Sequence, residues 1–209
     1  MSMSTKRHLR AIAAIALLVG ACAAPKETPE EILARVRGGA VKPTVPKPAF
    51  ILTDQHGASF DFRKETDGHV TLLFFGYTYC PDICPLHMAR IGTAMKQIDP
   101  GIAEQIKVVF VSLDPERDTP ERLTQWLGAF HPDMIGLTGS MDEVNTAVAG
   151  MGFAPGRMEE GEGEEYAVSH PAMVIAYTPD NIGRLLYFFG ITTEDWVHDL
   201  PILVESNWN

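Results

Sequence analysis

Two cysteines lie between a strand and a helix in the stretch Phe74-Phe75-Gly76-Tyr77-Thr78-Tyr79-Cys80-Pro81-Asp82-Ile83-Cys84-Pro85. The apolar run from Val70 to Phe75 is typical of a buried strand. Apolar residues then recur at helical spacing as far as Ile98, and this spacing predicts a helix. Because proline is tolerated in the first turn of a helix, Pro85 indicates that Cys84 lies close to the helix start. The sequence therefore predicts two thiols where a core strand passes into a helix.

Several kinds of chemistry suit such a thiol pair. At a helix start the dipole favours the thiolate of Cys84, so the sequence predicts a lowered pKa for this group. In a tight turn the two sulfurs can converge on one small ion or on each other. A structural disulfide is the plainest alternative, since an oxidising compartment permits it. Two thiolates are soft ligands that suit Cu(I), and an additional imidazole suits Cu(II).

The remaining pattern predicts an α/β fold. Apolar strands alternate with helices, and the clearest strand is Ile106 to Leu113. Further predicted elements are a hairpin over 50–62, helices capped by Thr119 and Ser140, strands over 173–177 and 185–189, and a final helix over 193–205 that Pro201 should kink or shorten. The acidic, glycine-rich segment 157–165 is predicted to be a mobile loop. We expect a mixed central sheet flanked by helices, with an added N-terminal β-hairpin, which resembles the thioredoxin fold.

The N-terminus has the pattern of an export signal. Lys6, Arg7 and Arg10 precede an uncharged apolar run, and small residues lead directly to Cys22. This ending resembles a bacterial lipobox, in which the cysteine is acylated, and the alternative is an ordinary signal peptide with an incidental cysteine. We therefore expect a signal peptide over residues 1–21 and a domain facing the periplasm, with the protein held at a bacterial membrane by its lipid.

A tether is predicted between the lipid and the domain. Residues 22–48 contain a capping box that begins at Thr28, which predicts a short helix, and a proline-rich spacer over 42–48. We expect this spacer to hold a folded domain, residues 49–209, away from the membrane.

Composition excludes several classes of protein. The chain has 209 residues, of which 45% are hydrophobic and 21% charged, and its net charge is −10. These values are ordinary for a globular protein, and nothing basic or repetitive indicates a nucleic-acid partner. Loss of the signal removes three positive charges and no acidic residue, which argues against a polybasic grip on anionic lipid.

A third metal ligand would have to come from a histidine. His170 is the best candidate on position, because it directly precedes an apolar strand, and loops at one end of neighbouring strands form the site in α/β sheets. His87 lies three residues after Cys84 and is an alternative. His56 and His69 lie in polar turns, and His198 lies on the last helix.

Two motifs give the chain a resemblance to a known family. The segment 75–85 is similar to the cysteine motif of the SCO/SenC copper proteins, and Ser112-Leu113-Asp114-Pro115-Glu116-Arg117-Asp118-Thr119-Pro120 resembles their second motif. Tyr166-Ala167-Val168-Ser169-His170 stands where that family has its histidine. The resemblance implies a thioredoxin-like domain that binds one copper ion through Cys80, Cys84 and His170 and serves the dinuclear copper centre of cytochrome c oxidase.

The resemblance also raises questions about the neighbours of these ligands. Asp114 belongs to the second motif and either orients the site or a partner, or is a turn aspartate that fixes the loop before Thr119. The family often has an acidic residue where this chain has Ser169, so a charge that supports copper binding is missing. Pro171 follows the histidine and is a candidate for a cis peptide bond facing the cysteines.

The leading hypothesis is a copper metallochaperone, a carrier of Cu(I) or Cu(II) rather than an enzyme. Its expected partners are the copper-centre subunit of cytochrome c oxidase, another copper chaperone and a thiol reductant. The alternatives are a thiol–disulfide oxidoreductase, a peroxidase acting through Cys80 with help from Thr78, and a redox or copper sensor.

Overall fold

The computed structural model describes residues 27–154, 157–159, 166–169 and 171–208. The predicted signal peptide and Cys22 lie outside the described residues. The strands are β1 (Gly39–Pro46), β2 (Ile51–Asp54), β3 (Ser59–Asp61), β4 (Val70–Gly76), β5 (Ile106–Ser112), β6 (Ile135–Thr138), β7 (Arg157–Glu159), β8 (Ala167–Ser169), β9 (Met173–Tyr177) and β10 (Ile182–Phe188). The helices are α1 (Pro29–Leu33), α2 (Phe62–Glu65), α3 (Ile83–Gln97), α4 (Pro100–Ala103), α5 (Pro120–Gly128), α6 (Met141–Ala149) and α7 (Thr193–Glu205).

Eight of these strands form one mixed sheet in the order β1-β10-β9-β4-β5-β6-β2-β3. Strand β4 is buried along its whole length and lies parallel to β5 and antiparallel to β9. The register with β5 pairs Gly76 with Ser112, so the loops that follow these two strands leave the sheet side by side. This topology confirms the predicted α/β fold. It also brings the two sequence motifs together at the carboxyl ends of the adjacent strands β4 and β5.

Hydrophobic burial explains the positions of the helices. Helices α3 and α7 pack together, and α5 lies against β6. Trp196 and Leu200 of α7 are fully buried, because one face of this helix covers the core. Pro201 lies inside α7, and the helix continues to Glu205, the end of its predicted range, so this proline does not shorten it. The predicted N-terminal hairpin is present as strands β2 and β3. It joins the sheet because β2 pairs antiparallel with β6.

The segment predicted to be a tether belongs largely to the folded unit. The capping box at Thr28 starts α1 as expected, but Ile32 of this helix is fully buried in the core. Strand β1 pairs antiparallel with β10 at the edge of the sheet. The expectation of an independent spacer over 42–48 is therefore wrong, because the extended backbone there satisfies its hydrogen bonds by adding a strand. The folded unit begins before Ala49.

The first three residues of the acidic segment form a strand of a small two-stranded sheet. Strand β7 pairs antiparallel with β8, so the mobile loop predicted over 157–165 is wrong for its first three residues. The rest of that prediction, over 160–165, lies outside the described residues. Within the part of the chain that the structure describes, none of the helices has the length and hydropathy of a membrane span.

Candidate metal centre

The two cysteines are delivered by different elements. After β4 the chain makes a turn in which the backbone N–H of Cys80 donates to the carbonyl of Tyr77 at 3.2 Å. Cys84 lies in the first turn of α3, as the position of Pro85 predicts. Cys80 is 9% exposed and Cys84 is fully buried, and both are in the thiol form. The site therefore has one sulfur at its rim and one at its base.

The two sulfurs share a hydrogen-bonding environment. The backbone N–H of Cys84 donates to Sγ of Cys80 at 3.5 Å, and the Cys84 thiol is hydrogen bonded to Cys80 in turn. That thiol–thiol contact, followed by burial, raises the pKa of Cys84 well above its ordinary value. The expected lowering at the helix start is therefore wrong for the metal-free dithiol, because the neighbouring sulfur and the loss of solvent outweigh the helix dipole.

Gly76 is required by the approach of the Cys84 sulfur. A Cβ at this position would lie 2.7 Å from Sγ of Cys84 and 2.7 Å from the ring of Phe74. These distances are far below van der Waals contact, so any larger residue would displace the sulfur or the ring. The glycine that ends the strand in the sequence thus makes room for the deeper of the two thiols.

Asp114 lies at the centre of the second motif. It is 1% exposed, and its backbone carbonyl accepts hydrogen bonds from the amides of Arg117 and Asp118. Its side chain forms an ion pair with Arg117 and accepts a hydrogen bond of 2.7 Å from the hydroxyl of Tyr166. Asp114 therefore both closes its own turn and contacts the segment that leads to His170.

Arg117 strengthens the same connection. Its guanidinium lies 3.6 Å from the ring centroid of Tyr166 and donates to the backbone carbonyl of that residue at 3.1 Å. Burial, followed by the Asp114 carboxylate, raises the pKa of Tyr166 to about 12, so its hydroxyl remains a donor at neutral pH. The guanidinium also lies 4.8 Å from the ring centroid of the exposed Tyr79, beside Cys80.

Strand β8 lies against the cysteine turn. The backbone of Val168 is hydrogen bonded to the hydroxyl of Tyr77, whose pKa is raised chiefly by burial. Val168 is buried, Ser169 is exposed and Pro171 is partly buried. His170 lies outside the described residues, and so does the conformation of the peptide bond that joins it to Pro171. The described residues on both sides of His170 belong to this part of the fold.

The other histidines occupy different surroundings. His87 is buried on α3, with its ring centroid 5.2 Å from that of Phe74. His56 and His198 are exposed. Among the described residues, which do not include His170, no group of three or more His, Cys, Asp or Glu side chains is placed to hold a metal ion.

Sequence reasoning missed three residues around the thiols. Arg117, Asp118 and Tyr166 stand in the quoted motifs, but neither spacing nor periodicity indicates a role for them. Asp118 precedes the helix cap Thr119 and reads as an ordinary turn residue, yet it is fully buried beside the cysteine turn. The sequence signal for Asp118 is a charged residue among turn residues, which is only a weak indication of a buried role.

Comparison with known proteins places the chain among relatives of the same fold. Protein SCO1 homolog 1, mitochondrial, of Arabidopsis thaliana is 35% identical over 144 residues, which are 69% of this chain and 41% of that protein. The apo Sco1 of Thermus thermophilus is 34% identical, with a TM-score of 0.70 over 80% of this chain and 96% of that one. Bradyrhizobium japonicum ScoI with copper bound is 29% identical, with a TM-score of 0.68 over 76% of this chain and 99% of that one.

These matches confirm the thioredoxin-like fold of the Sco proteins for this chain. The chain spans between 41% and 64% of the length of the first three curated relatives, so part of each of those proteins has no counterpart in the match. The SCO1/SenC family model matches residues 40–200, which include both motifs and the sheet that positions them. This chain belongs to the SCO1/SenC family.

Proposed function

We propose that this protein binds one copper ion through Cys80, Cys84 and His170 and delivers it to the dinuclear copper centre of cytochrome c oxidase. The observation that carries the proposal is the proximity of two free cysteines, since the backbone N–H of Cys84, at the start of α3, donates to Sγ of Cys80 at 3.5 Å. Two neighbouring sulfurs form a soft donor set that suits Cu(I), and an imidazole would add the nitrogen that suits Cu(II). The copper-bound ScoI of Bradyrhizobium japonicum supports copper as the cargo.

The different burial of the two thiols suits a carrier. Cys84 is enclosed by the core, whereas Cys80 lies at the rim beside the exposed Tyr79. An acceptor protein would reach the metal from the Cys80 side and exchange its own ligand for this thiolate. Copper would leave without a covalent reaction, so the proposed activity is transfer by ligand exchange rather than catalysis.

The N-terminal segment would place this exchange at a membrane surface. Residues 1–21 have the pattern of a signal peptide, and acylation of Cys22 would anchor the chain with its domain in the periplasm. Only a short segment separates Cys22 from α1, which belongs to the folded unit. The proposed partner is the copper-centre subunit of the oxidase, and a copper donor or a thiol reductant would load the site.

A thiol–disulfide oxidoreductase is the second candidate function. The two thiols are close enough to share a hydrogen bond, and the fold is thioredoxin-like. A peroxidase that uses Thr78 is less well supported, because the Thr78 hydroxyl donates to Asp118 at 2.6 Å. Copper transfer requires His170 for Cu(II), whereas disulfide reduction requires only the two cysteines.

Copper titration of the full-length reduced protein in detergent tests the proposal. We expect one Cu(I) or one Cu(II) per chain in the wild type. His170→Ala should lower Cu(II) affinity at least about tenfold and leave Cu(I) binding nearly unchanged, since two thiolates suffice for Cu(I). His198→Ala, which changes an exposed histidine of α7, is the matched control and should bind both ions normally.

Disulfide-reduction assays separate the two candidate functions. If His170→Ala binds both copper ions like the wild type and the protein rapidly reduces partner disulfides, the oxidoreductase is the correct assignment. The mass of the mature N-terminus, compared between the wild type and Cys22→Ser, tests the lipid anchor. An unmodified Cys22 in the wild type would exclude it.

A further inference from the structure

Asp118 is a buried carboxylate with both oxygens engaged by residues around the thiol site. It is fully inaccessible to solvent. Oδ1 accepts a hydrogen bond of 2.6 Å from the hydroxyl of Thr78, and Oδ2 accepts from the backbone N–H of Thr78 at 3.0 Å and from the hydroxyl of Ser112 at 2.6 Å. Asp118 therefore joins the chain that leaves β4 to the end of β5.

The Asp118 carboxylate is unusual because it is buried and its hydrogen bonds with Thr78 and Ser112 bring no positive charge to it. All three donors are neutral, and burial raises the pKa of Asp118. An indirect connection to a cation passes through Thr78, whose hydroxyl accepts from Nε of Arg122 at 2.9 Å while it donates to Asp118. A buried carboxyl group costs stability unless its hydrogen bonds are satisfied, so residues around it are held in defined positions.

The residue that Asp118 holds lies two positions before the rim thiol. Thr78 is inside the turn that the Cys80 amide closes onto Tyr77. Cys84, by contrast, is fixed by helix α3 and by the close approach of its sulfur to Gly76. The separation of the two sulfurs therefore depends on the position of the Cys80 turn relative to the helix. Asp118 holds that turn by accepting hydrogen bonds from both the backbone and the side chain of Thr78.

We propose that Asp118 is a positioning residue for the thiol pair, which it acts on through Thr78. It fixes Cys80 relative to Cys84 and thereby sets the geometry of a bound Cu(II) ion and the ease with which the two thiols form a disulfide. This inference rests on the proposed copper site for its first readout, but the second readout requires no metal.

The test uses the full-length protein with Asp118→Asn and Thr78→Val. In Asp118→Asn the amide oxygen can keep the bonds from the Thr78 backbone N–H and the Ser112 hydroxyl, but the NH2 group then faces the Thr78 hydroxyl, which already accepts from Arg122 and loses its own acceptor. Thr78→Val removes the hydroxyl bond and keeps the carboxylate. We expect both variants to shift the thiolate-to-Cu(II) absorption and the copper hyperfine splitting and to lower Cu(II) affinity about tenfold. Thr78→Ser, which keeps the hydroxyl, should restore wild-type values.

Thr71→Val is the matched control. Thr71 is a fully buried threonine near the opposite end of β4, and its hydroxyl accepts from Lys47 at 3.0 Å. Its loss should lower the melting temperature without changing the copper spectrum. Wild-type spectra in folded Asp118→Asn, or an equal spectral change in Thr71→Val, would overturn the positioning role.

The dithiol–disulfide reduction potential, measured in thiol buffers, provides the second readout. We expect Asp118→Asn and Thr78→Val to shift this potential relative to the wild type and Thr71→Val. If the wild type binds no copper, the proposed function fails, but this measurement still decides the role of Asp118. If Asp118→Asn does not fold, Thr78→Val decides it, and an unchanged potential would contradict the inference.

Discussion

The Tyr166 hydroxyl donates a hydrogen bond of 2.7 Å to the Asp114 carboxylate, although 52 positions separate the two residues. The contact joins the second motif to the start of the segment that carries β8 and then His170. Arg117 completes it by pairing with Asp114 and stacking on the Tyr166 ring. We infer that this cluster holds the segment 166–169, which leads to His170 of the proposed copper site. Asp118 holds the turn that carries Cys80.

Removing the Tyr166 hydroxyl should selectively weaken Cu(II) binding, to which His170 is proposed to contribute. In Tyr166→Phe, Asp114 loses one hydrogen bond at a nearly inaccessible carboxylate, and we expect Cu(II) affinity to fall about tenfold while Cu(I) affinity changes less than about twofold. Competition titrations with chelators for each ion measure both values.

Tyr187→Phe provides the control for the loss of a tyrosine–aspartate bond. The Tyr187 hydroxyl donates to the buried Asp199 at 2.9 Å, on helix α7. This variant should lose about 1 kcal/mol of stability and keep wild-type affinity for both ions. Equal losses of Cu(I) and Cu(II) affinity in Tyr166→Phe would show that the cluster does not act through the histidine.

Gly76→Ala should disturb both the core and the deeper thiol. The new Cβ would meet Cys84 Sγ and the Phe74 ring at 2.7 Å, so we expect a loss of about 1–3 kcal/mol in the free energy of unfolding and weaker Cu(I) binding. Gly128→Ala is the comparison, since nothing lies within 4 Å of its added Cβ and the residue is helical. Denaturant unfolding of both variants checks the difference, and equal stabilities would show that the close approach is absent.

Ile32→Ala tests whether α1 belongs to the folded unit. Ile32 is fully buried, so its truncation should cost about 2–4 kcal/mol of unfolding free energy. Glu30→Ala changes an exposed residue of the same helix and should cost no more than about 0.5 kcal/mol. Urea unfolding compares them, and a neutral Ile32→Ala would return this segment to the role of a tether.

Lys47 should give the protein a characteristic alkaline pH dependence. Its ammonium group is buried against Thr66 and Thr71, and burial lowers the pKa of Lys47 to about 8. In the unfolded chain the pKa returns to about 10.4, so between these values the unfolded state binds more protons. The Lys47 contribution to stability therefore rises as pH increases from about 8 to 10, and below pH 8 it is constant.

The comparison of Lys47→Met with the wild type isolates this contribution. The stability difference should move in favour of the wild type as pH rises through this range, as measured by urea unfolding at several pH values. Lys64→Met, which changes a lysine whose side chain is 79% exposed, should show no such trend. A stability difference that is independent of pH would mean that Lys47 keeps an ordinary pKa.

Local sequence was sufficient for most of the elements. The continuous apolar run of β4, the threonine and serine caps of α5 and α6, and the proline after Cys84 each act on neighbouring residues, so their effects can be read without the fold. The same holds for the thiol pair, because only four positions separate Cys80 from Cys84. The resemblance of the two motifs then indicated the family, which the comparisons confirm.

Only the tertiary structure decided how these parts work together. Residues 42–48 read as a spacer in the sequence, but those up to Pro46 belong to strand β1, because the edge of β10 is available for pairing. The pKa of Cys84 rises because the contact with Cys80 and then burial outweigh the helix dipole, and only the dipole can be inferred from the local sequence. Asp118 and Thr78, which are hydrogen bonded to each other, are 40 positions apart in the sequence. Such contacts are determined by the path of the chain through the fold and not by local periodicity.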